Sequence, residues 1–332
     1  MKFRPDGKKI GYLAAKNDKI RIFECDLDGK NNKEVSNDPT TDIDGFLYAP
    51  DMQHIAYFKT VQVDKTIQDL YPDLTKSHAR IIDALNYRHW DTWKDGGYSH
   101  IFIAPYDAAN SFANVLEQST DILKGERFDA PNPPDDGEEA LAWSPDGKYL
   151  VYSCKKLTGT AYATSTNTDL YCYNVATAKT TDLTEGNKGY DNAPAFSPDG
   201  SMLMWLSMAR AGYESDKNRI MVMPFNAPEK VQAKELTAKI DLTASSPVWS
   251  ADGKRVYFVV IERGTKQLYG VDYKGNDLTP LTQGDHDYQF ALPCVNNGKN
   301  YLLAERVSMS GPSSRSSSLR LFFKSDTSAS SR

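Results

Sequence analysis

Two clusters of acidic residues contain carboxylates, the type of side chain that forms calcium sites in proteins. The first is the run Asp135-Asp136-Gly137-Glu138-Glu139, and the second consists of Asp38, Asp42 and Asp44 around Gly45. Calcium takes about six to eight oxygen ligands, so either cluster could supply part of a site. The second cluster lacks the spacing and the closing glutamate of a calcium loop, and a solvated loop before a strand explains the first. We expect no bound metal, with calcium at residues 135–139 as the alternative.

Histidines and cysteines are the other candidate metal ligands. The five histidines are dispersed, with no two of them four residues apart, and the four cysteines include no C-x-x-C pair. Neither a zinc site nor a redox pair is therefore indicated, and we expect no cofactor. Cys154 and Cys172 end and begin neighbouring predicted strands, so a cross-strand disulfide between them stays open.

No motif of an independent catalyst is present in the chain. It contains no G-x-S-x-G, the strained turn that would present a serine to a substrate and to an oxyanion hole. It also lacks H-E-x-x-H, a phosphate-binding G-x-x-x-x-G-K-[ST], and a G-x-G-x-x-G followed by a helix. We therefore expect no chemistry from this chain by itself.

The composition is that of a folded, weakly acidic chain. Apolar residues make up 40% and charged residues 25%, and 44 acidic against 39 basic side chains give a net charge of −5. This balance is too even to indicate a nucleic acid or an anionic membrane as partner. Apolar runs of about six residues are too short for a membrane helix or a signal peptide, so we expect a soluble chain.

One motif recurs along the chain: an aromatic residue, then Ser-Pro-Asp-Gly-Lys, then an apolar run. Its clearest copy is Trp143-Ser144-Pro145-Asp146-Gly147-Lys148, which leads into Tyr149-Leu150-Val151-Tyr152. Related copies begin at residues 3, 48, 196 and 249, and a degenerate sixth begins at residue 295. Proline sets φ, aspartate accepts backbone N–H groups and glycine supplies a positive φ, so the motif predicts a tight turn between two strands.

The spacing of these turns predicts the architecture. A third strand follows each turn, and a fourth ends in a recurring Leu-Thr, as at residues 183–184, 236–237 and 281–282. Four strands in every 45 to 53 residues are typical of a propeller blade. We therefore predict an all-β fold, a β-propeller of about six four-stranded blades over residues 1–307, with seven blades in the intact parent protein. The motif at residue 3 leads us to expect a truncated first blade.

The 95-residue interval between the turns at residues 48 and 143 is too long for one blade. It holds either a degenerate blade or one long insertion. Within it, residues 75–87 begin with a helix N-cap candidate, Thr75, and carry apolar residues at helical spacing: Ile81, Ile82 and Leu85. We predict a short helix there, within an insertion at about residues 60–97. Trp90 and Trp93 are expected to pack this insertion onto the propeller.

Three stretches narrow the class of propeller. They are Tyr87-Arg88-His89-Trp90-Asp91-Thr92-Trp93, the strand Asp95-Gly96-Gly97-Tyr98-Ser99-His100-Ile101-Phe102, and Arg210-Ala211-Gly212-Tyr213-Glu214-Ser215-Asp216-Lys217. Together with the repeated turns, they resemble the propellers of the prolyl oligopeptidase family of serine peptidases, closest to the dipeptidyl peptidase V and acylaminoacyl peptidase branch. In that family the propeller precedes an α/β-hydrolase domain, which holds the catalytic Ser, Asp and His, and it admits only short or unfolded peptides.

The resemblance implies a substrate-binding role for Glu214, Tyr213 and Arg88. Dipeptidyl peptidases of this family bind the free amino group of the substrate with propeller glutamates. A carboxylate beside a tyrosine hydroxyl suits an ammonium group, which offers three hydrogen-bond donors and no acceptor. Arg88 would contact a carbonyl or carboxylate of the substrate. The alternative for the first pair is a solvated loop in which Arg210 contacts Glu214.

The chain changes character at its end, where residues 308–332 contain eleven serines. Such a stretch buries little apolar area, so we expect a disordered tail. For the whole chain we expect a non-catalytic, substrate-gating and peptide-recognition propeller of a serine dipeptidyl peptidase. Its partners would be a peptide substrate and the α/β-hydrolase domain of the same parent, which would be periplasmic or secreted. The alternative is a free-standing Tol-type propeller that binds a protein partner.

Overall fold

Strands dominate the architecture. The structure, a computed structural model, describes residues 1–36, 42–89, 91–108, 118–133, 136–225, 232–308 and 316–323. The chain divides into two compact units, Met1–Lys188 and Gly189–Arg332. Helices are short, and none in the described part of the chain has the length and apolar character needed to cross a membrane.

The first unit contains three four-stranded antiparallel sheets. In order of pairing, the first sheet has β1 (Lys2–Phe3), β2 (Lys9–Lys16), β3 (Lys19–Asp26) and β4 (Lys33–Glu34). The second has β5 (Gly45–Tyr48), β6 (His54–Gln62), β9 (Gly97–Pro105) and β10 (Thr120–Asp121), and the third has β11 (Leu141–Trp143), β12 (Tyr149–Cys154), β13 (Asp169–Asn174) and β14 (Lys179–Asp182). The opening sheet, expected to be truncated, thus has four strands, the first of them two residues long.

The second unit contains two four-stranded sheets and one three-stranded sheet. The first of these has β15 (Asp191–Phe196), β16 (Met202–Ser207), β17 (Arg219–Pro224) and β18 (Lys234–Glu235). The second has β19 (Ala244–Trp249), β20 (Arg255–Glu262), β21 (Thr265–Asp272) and β22 (Thr279–Pro280), and the third has β23 (His286–Asn296), β24 (Lys299–Ser308) and β25 (Ser316–Phe323). In the described residues, six meander-like sheets of three or four strands, besides one two-stranded ribbon, confirm the predicted propeller-blade pattern.

Each copy of the repeated motif forms the turn between the first two strands of its sheet. In the copy at Ser197, the Ser197 hydroxyl donates to Asp199 at 2.6 Å and accepts the Met202 N–H at 3.0 Å. Gly200 has φ of 72°, the left-handed conformation that only glycine adopts without strain. The same serine contacts recur in the copies at residues 144 and 250. The serine of the motif therefore holds both ends of the turn.

Buried side chains lie between successive sheets within each unit. In the first unit, one cluster joins the first two sheets through Ile22 and Phe46, and another joins the second and third through Phe58 and Leu150. The second strands of three sheets, β12, β16 and β20, are buried over most of their length. Because sheets cover both of its faces, such a strand reads as a continuous apolar run instead of an alternating one.

The long interval between the second and third turns is an insertion within one sheet. It leaves after β6 and returns at β9, and it contains helix α1 (Ile67–Leu70) and a two-stranded ribbon of β7 (Arg88–His89) and β8 (Thr92–Trp93). The helix predicted over residues 75–87 is wrong, because that segment is not helical. Its apolar residues are exposed instead of packed, so no tertiary contact offsets the cost of ordering a helix there. The short helix begins instead at Thr66, which forms a capping box with Asp69.

Two further predictions, on the cysteine pair and on the serine-rich tail, concern residues outside the insertion. Cys154 and Cys172 are buried and free, and in register Cys154 faces Asp169 while Cys172 faces Val151. The two cysteines do not face each other and form no disulfide in this structure. In the segment expected to be disordered, Ser316–Phe323 pairs antiparallel with β24. The apolar residues at 319 and 321–323 favour a strand there. The rest of the tail, 309–315 and 324–332, lies outside the described residues, so the prediction of disorder stays a prediction for it.

Candidate functional site

The two ends of the insertion in the first unit, at Val63–Asp64 and at Gly96, contact each other where they leave the sheet. This contact is here called the neck. The N–H groups of Val63 and Asp64 donate to the Gly96 carbonyl at 3.0 and 3.1 Å. Gly96 has φ of 78°, and a Cβ there would lie 2.6 Å from the Asp64 Cβ. A larger residue does not fit at this position, so the two chain segments leave the sheet in fixed contact.

Three ion pairs surround this neck. Arg127 makes a two-point contact with Asp64, with both N···O distances 2.9 Å. Lys94 lies 2.6 Å from Asp129, whose other oxygen accepts the Ser99 N–H at 2.8 Å. The third pair joins Arg80 and Asp95 at 2.6 Å. The buried Asp129 thus connects Lys94, at the end of the insertion, to Ser99 on a blade strand. An ion pair at the surface with no such second contact would contribute little to stability.

A cavity of about 860 Å³, here called the insertion cavity, lies between the insertion, the loop before the third sheet and helix α2 (Gly159–Thr164). Tyr98 and Tyr162 line it, and burial raises the pKa of both hydroxyls. Tyr98 donates to Asp64 at 3.2 Å and Tyr162 to Asn132 at 3.1 Å. Such a volume matches the sites that bind small ligands in proteins.

Arg88, predicted to contact substrate, lines the insertion cavity. Its guanidinium carbon lies 5.8 Å from the centre of the Trp93 ring, which also stacks on Tyr87. Three arginines line the cavity, and within the described residues Arg88 is the one without a carboxylate partner. It is available to an oxygen of a ligand. Trp93 is 39% exposed and contacts its own insertion, and Trp90 lies outside the described residues.

Tyr213 and Glu214 lie in the second unit, on the connection between β16 and β17. Both side chains are exposed, Tyr213 at 47%. Within the described part of the chain, no hydrogen bond or ion pair occupies the Glu214 carboxylate. The Arg210 guanidinium lies over the Tyr213 ring, 4.1 Å from its centre.

Asp216 organises this connection. It accepts the N–H groups of Ala209 and Arg210 at 3.0 and 2.9 Å, and its Oδ1 accepts Nε and Nη2 of Arg210 at 3.0 and 2.8 Å. Arg210 holds the pKa of this carboxyl well below its usual range. Arg210 therefore pairs with Asp216 and not with Glu214, while residues 211–215 are exposed, as the solvated-loop alternative expects.

The acidic clusters have structural roles. Glu138 lies 2.5 Å from the Lys2 ammonium group and accepts the Phe46 N–H at 3.0 Å, while Glu139 accepts the Gly137 N–H at 2.8 Å. Asp135 and Asp38 lie outside the described residues. Among the residues that are described, no group of three His, Cys, Asp or Glu side chains is placed to hold a metal ion.

Sequence reasoning missed one buried polar network. Glu24 is 1% exposed, and its Oε1 accepts the hydroxyls of Tyr48 at 2.8 Å and Tyr106 at 2.5 Å. Arg4, 5% exposed, lies 3.5 Å from the other oxygen and also pairs with Asp6 at 2.7 Å. A signal was present, because Arg4 stands where three later copies of the turn have serine. The network ties the first turn to the first two sheets.

Comparison with known proteins identifies the class of this fold. A family model described as the TolB beta propeller domain (PD40) matches residues 140–311, more than half of the chain. The chain therefore belongs to the TolB β-propeller domain family.

Its relatives are named peptidases. The chain is 35% identical over 283 residues to dipeptidyl-peptidase 5 of Porphyromonas gingivalis and 37% identical over 284 residues to that of Porphyromonas endodontalis. Each match covers 85% of this chain and 40% of the relative, so the chain spans about two fifths of the length of these relatives. The resemblance indicated by the sequence motifs is confirmed for the propeller part.

Solved structures agree on the fold. An acylaminoacyl peptidase in complex with Z-Gly-Gly-Phe-chloromethyl ketone superposes with a TM-score of 0.63 at 15% identity, over 96% of this chain and 42% of that one. At this identity the match shows the fold alone, and it covers less than half of the peptidase chain.

Proposed function

We propose that this chain is the substrate-gating and peptide-recognition propeller of a serine dipeptidyl peptidase, in which a separate α/β-hydrolase domain of the parent protein performs the chemistry. The parent protein is here the longer polypeptide to which the chain would belong. In this proposal Glu214 binds the ammonium group of the peptide substrate, Tyr213 lies beside it, and Arg88 binds a substrate carbonyl or carboxylate. The parent would act in the periplasm or outside the cell.

The observation that carries the proposal is the division of labour between two carboxylates. Asp216 binds Arg210 and two backbone N–H groups, so it is saturated with donors. Glu214, two residues earlier, is exposed and has no partner among the described residues. A loop that fixes one carboxylate with a neighbouring cation and leaves the other free presents a negative charge in a defined place, which suits a cationic ligand.

Two connections of the same topological kind carry the proposed contacts. The Glu214 loop joins the second and third strands of its sheet, and the insertion with Arg88 joins the second and third strands of the second sheet. The relatives named dipeptidyl-peptidase 5 favour a peptide ligand over the protein partner of a free-standing Tol-type propeller.

Glu214→Gln in the parent protein tests the proposal. It removes the charge and keeps the size of the side chain. If the carboxylate meets an ammonium group largely shielded from water, kcat/KM on a free-amine dipeptidyl substrate should fall roughly 30-fold to a few thousand-fold, that is about 2–5 kcal/mol. The N-acylated form of the same substrate should be cleaved at an unchanged rate by enzyme and variant.

Asp241→Asn is the matched control, because Asp241 is an exposed carboxylate of the same unit. It should change kcat/KM less than fivefold, as expected of about 1 kcal/mol at the surface. Equal losses on both substrates, or no loss on either, would contradict the role of Glu214.

A further inference from the structure

We propose that the insertion cavity binds a bulky apolar side chain of a peptide against the wall formed by Ile81, Ile82, Leu85 and Trp93. This inference rests on the proposed peptide-recognition function and adds the class of side chain that is selected. It concerns the first unit only and needs neither the ammonium group nor Glu214.

The first observation is the concentration of exposed apolar side chains in the insertion. Eight of the fifteen large apolar side chains that are exposed in the structure lie between residues 70 and 93. Six of them line the insertion cavity: Leu70, Ile81, Ile82, Leu85, Tyr87 and Trp93. Single exposed apolar residues are ordinary, but a contiguous set marks a binding surface.

The second observation is the shape of this surface. The apolar residues do not form a flat face but the wall of a cavity of about 860 Å³. Ligand sites are concave, measure roughly 300–1,000 Å³ and combine apolar walls with a few polar groups. A short, flexible chain segment with a protruding side chain enters such a site, whereas a folded domain would contact only its rim.

The third observation is the state of the charges around the cavity. Five lysines and arginines line the cavity, and three of them, Arg80, Arg127 and Lys94, are each paired with a carboxylate at 2.6–2.9 Å, while Lys65 is exposed. A ligand therefore gains little by bringing an acidic side chain to these three. Arg88 remains open beside Trp93 and can donate hydrogen bonds to an oxygen of the ligand, which a peptide supplies as a backbone carbonyl or a terminal carboxylate.

The test uses this chain itself and N-acetylated peptides, which carry no ammonium group. Binding of acetyl-Gly-Phe-Gly-amide and acetyl-Gly-Gly-Gly-amide is compared by ligand-observed NMR, with acetyl-Gly-Phe-Gly as a third probe that adds a carboxylate. Burial of a phenylalanine side chain should make the Phe peptide bind about ten- to hundredfold more tightly than the Gly peptide. Tighter binding of the third probe would assign a carboxylate to Arg88, and equal binding a carbonyl; both agree with the proposal.

Two aspartate variants locate the site. Ile82→Asp places a charge on the cavity wall and should remove most of the preference for phenylalanine. Ile261→Asp is the control, because Ile261 is 64% exposed and lies on β20 in the other unit, and it should change nothing. Equal affinity for the Phe and Gly peptides would overturn the inference. The inference would also be overturned if Ile82→Asp abolished self-association of the chain and left peptide binding unchanged. The apolar wall would then be an interface between copies of the chain.

This test separates the two proposals. Loss of the phenylalanine preference leaves the Glu214 experiment on free-amine substrates unaffected. Conversely, if Glu214→Gln does not change kcat/KM on the free-amine substrate, the comparison between acetylated Phe and Gly peptides still tests the insertion cavity.

Discussion

Both Nε and Nη2 of Arg210 contact a single oxygen of Asp216, at 3.0 and 2.8 Å. The residues are six apart, and the contact closes the connection on which Glu214 stands. The side chain of Asp216 is 9% exposed, whereas that of Arg210 is 61% exposed, so the buried carboxylate holds the arginine and not the reverse. This pair decides which carboxylate of the loop is available.

Asp216→Asn should therefore impair amine recognition without touching the substrate. The amide loses the charge that holds Arg210, and Arg210 becomes free to neutralise Glu214, four residues away. We expect kcat/KM of the parent protein on a free-amine substrate to fall about tenfold, corresponding to about 1.4 kcal/mol, with the N-acylated substrate unaffected. Asp241→Asn again serves as the control. An Asp216→Asn enzyme with full activity on the free-amine substrate would show that the pair does not matter.

The buried network around Arg4 predicts a dependence of stability on acid. The hydrogen bond from Arg4 lowers the pKa of Asp6 from 3.8 to about 2. Because the folded value is depressed, the carboxylate stabilises the fold above pH 4 and this contribution is lost as the pH falls to about 2. The urea midpoint should fall across that window, and less steeply in Asp6→Asn. Asp73→Asn, at an exposed position of the same unit, should leave the slope unchanged; the same slope in Asp6→Asn would refute the assignment.

One copy of the repeated turn is strained and can be repaired. Met52 has φ of 57° at the position that glycine occupies in four other copies. A left-handed conformation costs a residue with a Cβ about 1–2 kcal/mol, against which glycine loses about 0.5–1 kcal/mol more chain entropy on folding. Met52→Gly should therefore raise the free energy of unfolding by about 0.5–1 kcal/mol in urea denaturation. Gly200→Ala should lower it by about 1 kcal/mol, and a destabilised Met52→Gly would contradict the strain.

Much of the fold could be predicted because the turn motif is local. Proline, aspartate and glycine act within four residues of chain, so Ser197-Pro198-Asp199-Gly200 specifies its turn without reference to the rest of the molecule. The helix predicted over residues 75–87 failed for the opposite reason. Its stability depends on a partner for Ile81 and Ile82, and helical spacing does not say whether a partner exists.

The candidate site was predictable only in its residue types. The motif around Glu214 drew attention to that carboxylate, but Arg210 has two acidic neighbours, and the sequence could not say which of them it contacts. The insertion cavity was not predicted at all, because its wall combines residues around 80–93 with a loop and a helix about 30 to 80 residues further along. The Arg4 network is likewise built from residues up to 102 positions apart.

The most direct test of the account is the pH dependence of kcat/KM on a free-amine dipeptidyl substrate, measured for the parent protein and for its Glu214→Gln variant. The amino group of a peptide loses its proton near pH 7.7–8.0, at roughly the value of a free terminus. If Glu214 binds the ammonium form, kcat/KM should decline above pH 8 in the parent, and this decline should flatten in Glu214→Gln. An identical decline in both proteins would contradict the claim that this propeller recognises the substrate through Glu214.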